Sequence, residues 1–159
     1  MTIGMKTYQL NREMLIRRPI EDVFLFFSMP ENLAKITPKE LNFRILTPQP
    51  IVMKAGAKIE YTIRLLGKKV HWVTLITDFE PPYSFVDEQL KGPYASWTHK
   101  HSFEQTEDGV RIIDQVDYAI PFGVLGELAH LLYVKKNLSD IFEYRKISIL
   151  RHFDEKGSF

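Results

Sequence analysis

The chain contains no cysteine. That excludes disulfides, thiolate nucleophiles and cysteine-ligated zinc. Charge of one sign is also missing: 21 Lys and Arg stand against 20 Asp and Glu. There is neither the basic footprint of a nucleic-acid binder nor the asymmetry that holds a protein to anionic lipid. The opening MTIGMKTYQLN has no apolar core of the length a secretion signal needs. No later stretch approaches the run of roughly 18 apolar residues that spans a bilayer. The expectation is a cytoplasmic protein with no nucleic-acid partner and no stable membrane insertion. Its oligomeric state is left open.

What is present is material for a core. Of 159 residues, 45% are hydrophobic and 13% aromatic, enough for one domain over 1–159 that buries roughly two-thirds of its unfolded surface. A polar, frayed tail is expected over 154–159.

The most informative stretch runs from Tyr94 to Ala119. Trp97, His99, His101 and Phe103 alternate with Ser96, Thr98, Lys100 and Ser102, the period of a strand with one buried face. Val110, Ile112, Asp114, Val116 and Tyr118 repeat the pattern after a charged turn ending in Gly109. Pairing Phe103 with Ile112 closes a hairpin through the loop Thr106 to Gly109 and sets Glu104 opposite Arg111 as an outward ion pair. The same register places His101 beside Asp114 on the inward face.

Around this hairpin, Tyr8, Leu10, Met14 and Ile16 alternate as a first strand, stopped at Arg17-Arg18-Pro19. Pro19, Glu21 and Asp22 suit the start of a helix whose apolar stripe is Ile20, Val23, Phe24 and Phe27. Ser28 and Glu31 have the spacing of a capping box, which predicts a second short helix from Met29 to Ile36. Strands follow around Phe43 to Ile45, Ile59 to Leu65, Lys69 to Phe79 and Phe85 to Gln89. With the hairpin this makes about seven, and their short loops require antiparallel pairing. From Leu125 to Arg151 there is neither Gly nor Pro beyond Gly126 at its start, and Leu128, Leu131, Leu132, Leu138, Ile141, Phe142, Tyr144 and Ile149 form a broad apolar band. That predicts a long helix covering the inward face of the sheet, with His130 turned away from it.

The order strand, two short helices, six strands and a long C-terminal helix resembles the α+β helix-grip fold of the SRPBCC superfamily. That superfamily includes the START domains, the birch-pollen allergen group and the polyketide cyclase and coenzyme Q-binding groups. RRPIEDVFLFFSMPENLAKITP, HWVTLITDFEPPYSFVDEQLKGPYASWTHKHSFE and PFGVLGELAHLL carry the resemblance, and the middle segment is similar to that of one bacterial branch. What it implies is a curved antiparallel sheet wrapped around the last helix, with a hollow between them for a lipid, polyketide or aromatic metabolite. It implies no cofactor, and a ligand-binding protein rather than a catalyst. The alternative is a cyclase or dehydratase using His101 and Asp114 as an acid/base pair.

His99, His101 and Asp114 admit several readings. The histidine and aspartate can satisfy each other inside a packed core. They can contact a ligand, with Asp114 orienting His101 and favouring its charged form. They can transfer protons, or hold a metal, although two histidines at i and i+2 on any strand share a face and a metal is not favoured. The turn from Leu90 to Pro93 does not fix the register of the preceding strand. Pairing Val86 with Trp97 would turn Glu88 inward, and a slip of one residue would substitute Asp87. Glu88 is the favoured choice. Trp72, Trp97, Tyr118, Phe24, Phe27, Leu128, Leu131 and Leu132 complete the expected ligand-binding wall, each weighed against plain core packing. Arg64 is expected on a solvated face, and the facing of His71 stays undetermined.

Overall fold

A computed structural model describes residues 5–155. The element order is β1 (Thr7–Ile16), α1 (Ile20–Phe27), a 3-10 turn (Pro30–Asn32), α2 (Leu33–Ile36), a 3-10 turn (Lys39–Leu41), then β2 (Arg44–Ile45), β3 (Lys58–Leu65), β4 (Lys68–Glu80), β5 (Ser84–Lys91), β6 (Ser96–Thr106) and β7 (Gly109–Ala119). The closing helix is α3 (Gly123–Ala129), a π turn (His130–Val134) and α4 (Lys135–Glu155). The seven strands form one antiparallel sheet in the order β1-β7-β6-β5-β4-β3-β2. This is the curved sheet and long helix of the helix-grip fold. Two register shifts between β4 and β5, at Val73/Thr74 and Ile76/Asp78, add local twist where the sheet bends.

The β6–β7 register is the expected one. Phe103 faces Ile112, His101 faces Asp114, and Glu104 faces Arg111 with a 2.9 Å ion pair. The turn is tighter than expected, since pairing continues to Thr106↔Gly109. Gly109 is obligatory there. Its φ is +133°, and an added Cβ would lie 2.5 Å from the Ile16 carbonyl oxygen.

Other elements depart from expectation. Ser28 and Glu31 make no capping box. The Ser28 hydroxyl donates back to the Leu25 carbonyl, and Glu31 accepts from the Ile51 amide. Pro30, with no N–H to give, begins a 3-10 turn instead, and only Leu33–Ile36 is α-helical. In α1 the buried residues are Ile20, Val23, Phe24 and Phe26, with Phe27 half-buried.

The largest correction concerns the closing helix. The row that turns inward is Gly126, His130, Val134, Leu138 and Phe142, spaced by four. At 3.6 residues per turn such a row drifts by about 40° per step. The π turn His130–Val134, wound wider, takes up that drift and keeps the row on the sheet. His130 is therefore buried, and its Nε2 is hydrogen-bonded to the Tyr118 hydroxyl at 2.7 Å. The first part of the expected band is displaced outward, leaving Leu128, Leu131 and Leu132 at 52%, 73% and 73% exposure, while Leu138, Phe142 and Ile149 are buried as expected. Of the expected frayed tail, Asp154 and Glu155 belong to α4; 156–159 lie outside the described residues. No helix among the described residues is long and apolar enough to cross a membrane.

Candidate functional site

Adjacent strands bring the polar groups together. His99 and His101 sit at i and i+2 on β6 and so share its inward face. On one side β7 sets Asp114 opposite His101; on the other β5 sets Asp87 opposite His99. The short bonds do not run straight across. They run along the diagonals, His99 Nε2 to Asp114 Oδ1 at 2.8 Å and His101 Nε2 to Asp87 Oδ2 at 2.6 Å. The directly opposed His101 Nδ1 and Asp114 Oδ1 are 3.4 Å apart, an ionic contact without hydrogen-bond alignment. Arg145 of α4 completes the cluster, 3.9 Å from Asp114 Oδ1 and packed beside the rings of Phe27 and Phe142.

Electrostatics separates the two imidazoles. Their rings stack with centroids 3.7 Å apart, a geometry that opposes two charges. Burial pulls both downward. For His99, burial and the charge of His101 outweigh the hydrogen bond to Asp114, and its pKa falls. For His101, burial is outweighed by Asp114 and Asp87, and its pKa rises. Burial would raise both aspartates, but the opposing contacts win. The hydrogen bond to His101, then the charges of His99, His101 and Arg145, lower Asp87; Arg145 and the two histidines hold Asp114 well below the usual carboxylate range. Both carboxylates are thereby held toward the ionised form, and of the two rings His101 is favoured over His99 for the charge.

Beside the cluster lies a cavity of about 190 Å³. Its wall includes Phe26, Phe27, Leu33, Tyr61, Trp72, Trp97, Leu138 and Phe142, with Asp87, His99, His101 and Arg145 as charged or titratable groups. Trp72 and Trp97 meet edge to face at 5.5 Å.

Of the expected wall, the structure brings Trp72, Trp97, His99, His101 and Phe27 to the cavity. It corrects the rest. The carboxylate on the wall is Asp87 and not Glu88, because Val86 pairs with Lys100, three positions beyond the expected Trp97. An odd shift exchanges the two faces. Gln89 sets this register by bridging the following turn, donating to the Tyr94 carbonyl at 2.9 Å and accepting from its amide at 3.2 Å. Asp114 stands behind the histidines, off the wall. Phe24 is enclosed by Phe79, Phe85 and Phe103, and Tyr118 belongs to the core cluster around Val116 and Leu138. Leu128, Leu131 and Leu132 face outward, for the helical reason given above. Arg64 is exposed; His71, also on the outer side, contacts Glu60 at 3.0 Å. Arg145 was not anticipated, although its place between Leu138, Phe142 and Ile149 puts a charge inside an apolar stripe.

Asp87, His99 and His101 offer donor atoms within 4.8 Å of one another, a set that can ligate a divalent metal. The 2.6 Å contact between His101 and Asp87 is, however, that of a shared proton, which a metal would have to displace.

Comparison with protein-family models finds no match, and comparison with curated proteins finds none. Similar solved structures exist. The Zhui aromatase/cyclase from Streptomyces sp. R1128 superposes with a TM-score of 0.77 at 10% identity, over 96% of this chain and 97% of that one. TTHA0849 from Thermus thermophilus gives 0.75 at 16%, over 95% and 100%. The major latex-like protein 151 of Panax ginseng gives 0.65 at 14%, over 94% and 99%. These likenesses establish the fold and agree with the SRPBCC resemblance.

Proposed function

From a helix-grip fold of the SRPBCC kind as premise, we propose that the protein binds a hydrophobic small molecule between sheet and closing helix, acting as one domain over 1–159. The observation that carries this is the cavity itself: about 190 Å³ behind an aromatic wall, with ionisable groups at one place on it. Its volume is below the roughly 300–1,000 Å³ of pockets for drug-sized ligands, which favours a compact aromatic or short-chain occupant over a full-length lipid. Filling it replaces solvent beside Trp72 and Trp97, so occupancy is readable in tryptophan emission. Titration with 1-aminoanthracene should give saturable quenching, and Leu33→Trp, which fills the wall from a half-buried position, should abolish saturation. Absence of saturable quenching in the wild-type protein, together with no co-purifying small molecule in native mass spectrometry, would overturn the reading.

A second reading, a cyclase or dehydratase, is favoured by His101 alone, which reaches the cavity with its proton held by Asp87. In a dehydration His101 would protonate the departing hydroxyl, which leaves as water, while Asp87, the carboxylate on the wall, would take the α-proton as the C=C bond forms. Asp114 acts from behind by holding His99. Turnover of an aromatic β-hydroxy ketone that disappears in His101→Gln, with ligand affinity retained, is the result this reading requires.

A further inference from the structure

Among the described residues, the buried side-chain nitrogens without a hydrogen-bond partner are Trp72 Nε1, His101 Nδ1 and Arg145 Nε. All belong to residues on the wall of the same cavity. Buried polar atoms are almost always satisfied. His101 Nδ1 is turned toward Asp114, 3.4 Å away and behind the wall, so the donors left for an occupant of the hollow are those of Trp72 and Arg145.

Their chemistry is one-sided. Trp72 and Arg145 can only donate. Arg145 is the sole Lys or Arg on the wall, with its side chain 12% exposed, and its ionic contact with Asp114, at 3.9 Å, is too long for a hydrogen bond. Among the described residues Asp87 is the only carboxylate on the wall, and its Oδ2 already accepts from His101. The two idle donors select a ligand that brings acceptors. A guanidinium, planar and five-donor, selects a carboxylate before a neutral carbonyl, since two parallel N–H···O bonds can form. The aromatic packing of Arg145 against Phe27 and Phe142 keeps the fork in place.

We infer that the cavity takes an aromatic or short-chain carboxylic acid, its apolar body against Trp72 and Trp97 and its carboxylate on Arg145, with Trp72 Nε1 as a further donor. This rests on the binding reading above and specifies it. An amine of the same skeleton is disfavoured, because it would bring a second positive charge against the Arg145 guanidinium.

Isothermal titration with 2-naphthoic acid, 2-naphthalenemethanol and 2-naphthylmethylamine tests it, the skeleton being common to all three. The acid is expected to bind at least about tenfold more tightly than the alcohol, the value of a charge-assisted hydrogen bond over a neutral one. The amine should bind most weakly. Arg145→Met should remove the acid's advantage and leave the alcohol within about twofold, and Arg145→Lys, which keeps charge without the fork, should fall between. Equal binding of acid and alcohol to the wild-type protein overturns the inference and leaves the apolar-binding reading standing. Failure of all three to bind overturns both. The wild-type ratio decides even if Arg145→Met does not fold.

Discussion

His99 and His101 lie face to face, 3.7 Å between ring centroids, and each gives its Nε2 to a different carboxylate. Proximity sets the two rings against each other for charge, and burial and the flanking carboxylates tip the balance toward His101. Asp87 on β5 bonds His101 and Asp114 on β7 bonds His99, so the strands β5, β6 and β7 are cross-linked through side chains as well as through their ladders.

The first prediction is a two-sided pH profile of stability. His101 has a raised folded pKa, so its contribution is full below the ordinary value of 6.5 and is lost as pH rises through the folded value. His99 has a lowered one, so its contribution is full above 6.5 and is lost as pH falls toward the folded value. The two together set a maximum near 6.5, and every tenfold difference in proton affinity between folded and unfolded chain is worth ~1.4 kcal/mol. Urea melts of His101→Gln should lack the alkaline decline and those of His99→Gln the acidic decline between 6.5 and the carboxylate range. Below that range both variants should lose stability with the wild type, because Asp87 and Asp114 have lowered values and their contribution disappears on protonation.

Asp114 is 1% exposed and faces Arg145, His99 and His101. Asp114→Ala leaves those cationic or donor groups without their counter-charge and should cost about 3–5 kcal/mol. The double variant Asp114→Ala, Arg145→Met should recover part of that loss in the same denaturation assay. Strict additivity of the two substitutions would exclude the coupling.

Glu104 and Arg111 form a close ion pair, but each side chain is half exposed. Glu104→Ala should change stability by less than about 1 kcal/mol, and the difference should shrink further in about 1 M salt. The hairpin register is held by the apolar inward face rather than by this pair.

The Tyr118–His130 bond ties the first half of the closing helix to the sheet. Burial, with Lys135 and Lys6, lowers the His130 pKa and so favours the neutral ring. Tyr118→Phe leaves the buried Nε2 without its partner and should cost roughly 1–3 kcal/mol. Hydrogen exchange should accelerate first over 123–134 while α4 stays protected. A loss spread evenly over the helix would contradict a local tether.

The sequence was readable wherever a strict period of two met an unambiguous turn. Phe103↔Ile112 and His101↔Asp114 follow from alternation alone. Asp87 was not readable, because its facing depends on Gln89 bridging the turn to Tyr94, and one side-chain amide leaves no periodic trace. The closing helix was legible as a helix and in phase over Leu138, Phe142 and Ile149, but out of phase in its first part. Leu128, Leu131 and Leu132 satisfy an α-helical stripe as well as any residues in the chain, and the π turn that overrules them is selected by the burial of His130 against Tyr118. The diagonal choice of carboxylates is likewise a matter of rotamer and not of register. Arg145 offered a signal, a cation within the stripe Leu138, Phe142 and Ile149.

The pairing of β1 with β7, from Thr7↔Ala119 to Ile16↔Val110, has a kinetic side. During synthesis the first strand emerges long before the partner that will hold it. Pairing of such remote segments is slow, on the order of milliseconds to seconds. A nascent chain stopped short of Gly109 carries β1 with both edges unclaimed, where the finished sheet leaves one, and that interval is where this protein is most exposed to strand-to-strand aggregation.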